Sequence, residues 1–248
     1  MLKTFALILL VLSLALFSGS CAVHRAEAPA IKPPEEEADC SIPVLQDELA
    51  RLEHALKGPG EGRVNDLLRV ARLSFLLGEL SPKEEKSRYF EKGEHYSQLL
   101  LREKPYGVEG HYWLALNLCG LAEQGGARRG LKMVPEIVEE LEKALKENPA
   151  YDQAGPHRVL GRIYFECPSW PLSVGNIPQA YSHLSAAVAI APENSTNHLF
   201  LAETLFKMGK TEEARQELQM VLNGTRNALC RKFLEEDRQE ALRLLQKK

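Results

Sequence analysis

The sequence predicts an all-α fold in which helix pairs stack side by side as a solenoid, about four pairs long, closed by a helix at each end. Three observations predict it. The stretch from Val64 to Arg226 resembles itself, which marks stacked units that shelter one another's apolar faces. Leu114-Ala115 with Leu118, Leu160-Gly161 with Tyr164, and Leu201-Ala202 with Leu205 repeat one spacing of small and large residues, and Val70-Ala71 with Ser74 is a weaker copy. Two copies also close alike, with Leu141, Ala144 and Pro149 in one and Leu184, Ala187 and Pro192 in the other.

Taken in chain order, the first element is a targeting segment. Lys3 precedes an apolar run from Phe5 to Phe17, broken only by Ser13 and too short for an ordinary membrane span. Ser18-Gly19-Ser20-Cys21 resembles a bacterial lipobox, although Ser18 stands where leucine is usual. The resemblance implies a signal peptide over 1–20 and a lipid on Cys21; plain secretion with cleavage after Ser20 is the rival reading. Ala22, in place of an aspartate, favours the outer over the inner membrane. Residues 21–41 then form a Pro- and Glu-rich tether that cannot bury a core. The folded part is expected over 42–248.

Leu45, Leu49, Leu52 and Leu56 trace one face of a leading helix, which Gly58-Pro59-Gly60 ends. Leu234, Ala241, Leu244 and Leu245 mark a charged closing helix. Caps of this kind give a stacked array its polar ends.

The repeat resembles the tetratricopeptide repeat, a helix–turn–helix of 34 residues in which positions 8 and 20 are small. The resemblance implies a right-handed solenoid. With position 8 at Ala202, Ala214 falls at 20 and Leu218 at 24 without insertion. The three earlier copies carry extra residues between their two helices, all on one edge of the array. Ser81-Pro82-Lys83-Glu84 reads as a capping box that lengthens helices. Gly120 to Gly130 reads as a flexible turn. Cys167 to Gly175 reads as a stiff aromatic loop, in which Trp170 either packs down as a plug, the favoured state, or is offered to a partner.

The net charge is −3 with no basic stripe, which argues against nucleic acid as a partner. The chain has five cysteines, and a lipid on Cys21 leaves an even number, suited to an oxidising compartment. Cys119 and Cys167, near the ends of equivalent helices, are the candidate disulfide; buried free thiols are the alternative.

A finer resemblance lies in Gly155-Pro156-His157-Arg158, Pro168-Ser169-Trp170-Pro171 and Asn197-His198, together with His111-Tyr112-Trp113. These are similar to the T component of tetratricopeptide-associated TRAP transporters. The resemblance implies a lipid-anchored protein on the periplasmic face of a bacterial envelope that docks a transporter's substrate-binding protein. It also implies small organic acids or lipids as ligands. A scaffold for envelope assembly is the alternative, and homo-oligomerisation stays open.

In this repeat family the inner surface is lined by the first helix of each pair. Register then nominates Arg72, Phe75, Tyr112, Leu116, Arg158, Arg162, Phe165 and Phe206 as a groove with an aromatic floor. Arg158 and Arg162 lie four residues apart and repel unless an anion sits between them, which points to an acidic amphiphile. Phenylalanines at helical spacing also serve as plain core, and surface arginines as solvated groups.

No catalytic residues, cofactor or metal are expected. The chain has no His-Glu-x-x-His, phosphate-binding glycine loop or nucleophile elbow. His111, His157 and His198 share one register position, but neighbouring helices stand roughly 8–10 Å apart. That is too far for a single zinc, whose bonds to nitrogen are near 2 Å. The expectation is a non-catalytic binding module attached to the membrane through its lipid alone.

Overall fold

The computed structural model describes residues 40–58, 60, 62–224 and 230–247. The expected signal peptide, Cys21 and all but the last two tether residues lie outside them. The described chain is helical: α1 (Ile42–Ala55), α2 (Arg63–Leu80), α3 (Lys83–Glu103), α4 (Val108–Gln124), α5 (Gly126–Glu147), α6 (Tyr151–Glu166), α7 (Ile177–Ile190), α8 (Ser195–Lys207), α9 (Thr211–Asn223) and α10 (Arg231–Lys247). Four antiparallel pairs, α2–α3, α4–α5, α6–α7 and α8–α9, follow one another. Each pair's first helix packs on the next, α2 on α4, α4 on α6 and α6 on α8.

The predicted spacing explains why the pairs close. Ala71, Ala115, Ala202 and Gly161 sit fully or almost fully buried where two helices touch, and Ala144, Ala187, Leu141, Leu184 and Leu218 face them from the second helices. Small residues at these points let helix backbones approach, while the leucines fill the space between pairs. Leu45, Leu49 and Leu52 seat α1 on α2, and Leu234 and Ala241 anchor α10.

The insertions depart from expectation in two places. Between α2 and α3 the chain does lengthen its helices, but no capping box forms. Lys83 opens α3 behind Pro82, and the buried Ser81 hydroxyl has no hydrogen-bond partner. The glycine-rich run at Gly120–Gly130 does hold the expected turn, but a much tighter one: α4 continues to Gln124, the ring of Phe90 packs where a side chain at 120 would stand, and the chain reverses at Gly125 and Gly126, the latter at φ 74°.

The cysteine pairing is a further correction. The disulfide joins Cys40 to Cys230, with Cα atoms 6.2 Å apart, and ties the start of α1 to the start of α10. Cys119 and Cys167 are free thiols. They come from α4 and the end of α6, neighbouring first helices whose axes are typically ~8–10 Å apart, whereas a disulfide wants Cα atoms within roughly 7 Å.

Candidate functional site

The inner faces of α2, α4, α6 and α8 enclose a cavity of about 370 Å³. Phe75, Leu116, Val159, Ile163 and Phe200 give it apolar walls, Val134 and Ile137 of α5 close one side, and Cys119 and Cys167 both face it. Glu79, Glu123 and Glu166 line it as well. Burial pushes Glu79 and Glu123 above the usual carboxylate range, only partly opposed by Lys86. Burial likewise pushes the Cys119 thiol up to about 12, which makes it a poor nucleophile at neutral pH.

Five of the eight residues nominated from register line this cavity: Phe75, Tyr112, Leu116, Arg158 and Arg162. The other three do not. Arg72 is exposed and lies 5.9 Å from the Trp113 ring centre. Phe165 is covered by two cations, Arg162 at 5.2 Å and Lys207 at 4.6 Å from its ring centre. Phe206 belongs to the buried core around Leu205 and Leu218.

The arginine clamp expected of Arg158 and Arg162 is also corrected, because each already holds a carboxylate. Arg158 is only 7% exposed. Its guanidinium donates to the Asp152 carboxylate at 3.0 Å, to the carbonyls of Asp152 and Gln153 at 3.2 and 3.1 Å, and to Asn197 Oδ1 at 3.3 Å. The Tyr112 hydroxyl donates to the same carboxylate at 2.6 Å and accepts from Arg158 at 3.2 Å. Arg162 pairs with Glu203 and, at 2.6 Å, with Glu166, and it lies 4.4 Å from the Phe200 ring centre. The repulsion between the two arginines is therefore relieved within the protein, and no ligand anion is required.

What Arg158 holds is an unusual joint. Asp152, Gln153 and Ala154 have φ of 48°, 55° and 62°, three successive left-handed residues without a glycine. Each costs roughly 1–2 kcal/mol relative to the right-handed form. Arg158 gathers the carbonyls that this conformation turns inward, Asn197 Nδ2 donates to Gln153 O at 3.2 Å, and Asn194 Nδ2 donates to the Gln153 side chain at 2.9 Å. Gly155 completes the joint, because a side chain there would meet the Tyr112 hydroxyl. Burial, the neighbouring Asp152 and the bond to it keep Tyr112 well above its usual pKa despite Arg158, so it remains a neutral donor.

The three aligned histidines each bond a side chain on the second helix of their own repeat. His111 Nδ1 meets Glu140 at 2.6 Å, His157 Nδ1 meets His183 Nδ1 at 3.1 Å, and His198 bonds Glu217 at 2.5 Å and the Pro192 carbonyl at 2.8 Å. Among the described residues no cluster of three histidine, cysteine or carboxylate groups could hold a metal. Trp170 does not pack down: it is 86% exposed, and its neighbour Leu172 is 75% exposed.

Sequence reasoning missed the acidic lining. Glu79 lies four residues beyond Phe75, a nominated inner position, and Glu123 four beyond Cys119, which holds the matching place on α4, so the register that found the floor also held the signal for its rim.

Comparison with known proteins bears on both fold and family. Among solved structures, the chain resembles TTC0263, a thermophilic TPR protein of Thermus thermophilus, with 20% identity, a TM-score of 0.51, and coverage of 80% of this chain and 98% of that one. That likeness concerns the fold and agrees with the tetratricopeptide-like stacking described above. No curated protein matches the sequence. Residues 46–247, nearly the whole helical array, match the family described as regulator of microtubule dynamics protein 1-3. A tetratricopeptide-like array that matches over this span belongs to the regulator of microtubule dynamics protein 1-3 family.

Proposed function

We propose that the chain is a non-catalytic interaction module whose inner cavity receives an apolar group from a protein partner. The cavity itself carries this reading: about 370 Å³ of mainly apolar space, formed where four first helices converge. Tetratricopeptide-like arrays act typically as scaffolds, and concave surfaces of stacked helix pairs are their usual binding face. With Arg158 paired to Asp152 and Arg162 shared between Glu203 and Glu166, the carboxylates lining the cavity, Glu79 and Glu123 among them, outnumber its arginines. Such a lining favours a neutral or basic apolar group over an acidic one.

Placement in the cell is part of the proposal. The lipobox-like segment supports attachment through a lipid on Cys21 at the periplasmic face of an envelope, and the Cys40–Cys230 disulfide supports an oxidising compartment. The motifs around Arg158 and Trp170 support a TRAP-type accessory role in which the partner is a substrate-binding protein. The family match supports a second reading, in which the partner belongs to a microtubule.

A photo-crosslinking residue placed at Leu116, inside the cavity, tests the proposal against the same residue at Met220, on the outer face of α9. A discrete protein adduct from position 116 and none from 220 is the expected outcome, and the identity of the adduct decides between an envelope and a microtubule partner. Equal adducts from both positions, or none, would remove the cavity from the interaction.

A further inference from the structure

The loop between α6 and α7 offers two large apolar side chains to solvent, Trp170 at 86% and Leu172 at 75% exposure. The loop is held in one shape. Gly175 N donates to Pro168 O at 2.9 Å, Leu172 N to Ser169 O at 3.1 Å, and Asn176 N to Tyr164 O at 2.8 Å. Gly175 lets the returning chain lie against the backbone of Cys167 and Pro168, where a side chain would collide. The exposed pair is thus fixed outward by its own turn.

Its surroundings are as unusual as its tip. In a chain that is 26% charged, no Asp, Glu, Lys or Arg occurs from Cys167 to Pro192, which covers the loop and all of α7. The other outer helices carry charges throughout, for example Glu139, Glu142 and Lys146 on α5 and Glu212, Glu213 and Arg215 on α9. Charged groups resist leaving water, and their absence from the loop lowers the cost of bringing its tip to an apolar phase.

We propose that the Trp170–Leu172 tip is a bilayer-contact element that inserts among lipid headgroups. Tryptophan prefers that boundary, because its ring is apolar and its N–H stays hydrogen-bonded. The proposal rests on the membrane attachment proposed above. Residues 22–39 separate Cys21 from the folded array, and a chain of that length reaches at most ~60 Å when extended. A domain tethered through Cys21 would meet the membrane at high effective concentration, so weak insertion at the tip suffices to orient it. A protein partner fits the tip less well: a tryptophan buries roughly 150–250 Å², far short of the ~800 Å² that each side of a stable protein interface contributes.

The chain has two tryptophans, and the other, Trp113, is 1% exposed. The test uses the full acylated chain reconstituted into phosphatidylcholine vesicles carrying bromine on the acyl chains. Trp170 emission should be quenched and shifted to shorter wavelength, Trp170→Phe should abolish the quenching while leaving Trp113 emission, and Leu172→Asp should reduce it. A chain that floats with the vesicles but shows no quenching overturns the inference and leaves the tip to a protein partner. A chain that does not float overturns the membrane attachment, and this inference with it.

Discussion

The α6–α7 and α8–α9 repeats are built on the same register and differ at the left-handed joint that opens α6, in the loop between their helices, on their outer faces and in the partner of the shared histidine. Ala180, Leu184 and Ala187 of α7 and Ala214, Leu218 and Val221 of α9 occupy matching positions, and all are fully buried. Yet α9 has a charged outer face and α7 has none. The histidine at the shared register position meets a second histidine in one repeat and a carboxylate in the other. Packing therefore constrains the shared inner residues of both repeats, while, apart from the joint, the differences lie on positions that the register leaves free. Those positions are where function is to be sought.

The largest test of this comparison concerns the joint that opens α6, which α8 lacks. Arg158→Met leaves the buried Asp152 carboxylate without its cation and strips a donor from the carbonyls of two of the three left-handed residues, Asp152 and Gln153. A loss of about 3–5 kcal/mol of stability is expected from such a broken buried pair, measured by urea unfolding. A loss near zero would mean that Arg158 is spare for a ligand after all.

A smaller effect separates the two repeats by pH. Burial pushes His157 and His183 below their usual value, and at His183 the neighbouring His157 adds to the cost of protonation. Their contribution is present above the unfolded value, ~6.5, and is lost as the pH falls through their lower folded values. For His198 burial also acts downward, but the bonds to Glu217 and the Pro192 carbonyl outweigh it, and the net shift is upward. Its contribution is complete below ~6.5 and is lost as the pH rises through its higher folded value. Amide exchange, corrected for intrinsic rates, should show α7 losing protection relative to α9 between about pH 8 and about pH 5.5. Parallel changes in the two helices would show that the histidine partners do not distinguish the repeats.

The helix pairs were legible in the sequence because their determinants are local and periodic. Ala115, Gly161 and Ala202 with their following large residues carry the packing register, and the leucines of α1 show its buried face without tertiary information. Part of the cavity lining was legible for the same reason: Phe75, Tyr112, Leu116, Arg158 and Arg162 follow from register alone. What escaped depends on chain reversals. Arg158 spends its donors on carbonyls that point inward only because residues 152–154 are left-handed, and periodicity carries no sign of that. The Cys40–Cys230 bond depends on how the whole array curves to bring its two ends together. Gly120 to Gly130 resembled a long turn by composition, but Phe90 occupies the side-chain space that the glycine at 120 leaves empty, so α4 runs on to Gln124 and the reversal is confined to Gly125 and Gly126.

The central claim is that the cavity selects an apolar group that is neutral or basic. Octanol, octylamine and octanoate share one chain and differ in charge, and methyl resonances of Leu116 and Ile163 report on the cavity they line. At neutral pH, octylamine and octanol should shift those resonances at lower concentration than octanoate. Tighter binding of octanoate, with Arg158 or Arg162 released from its carboxylate, would contradict the account.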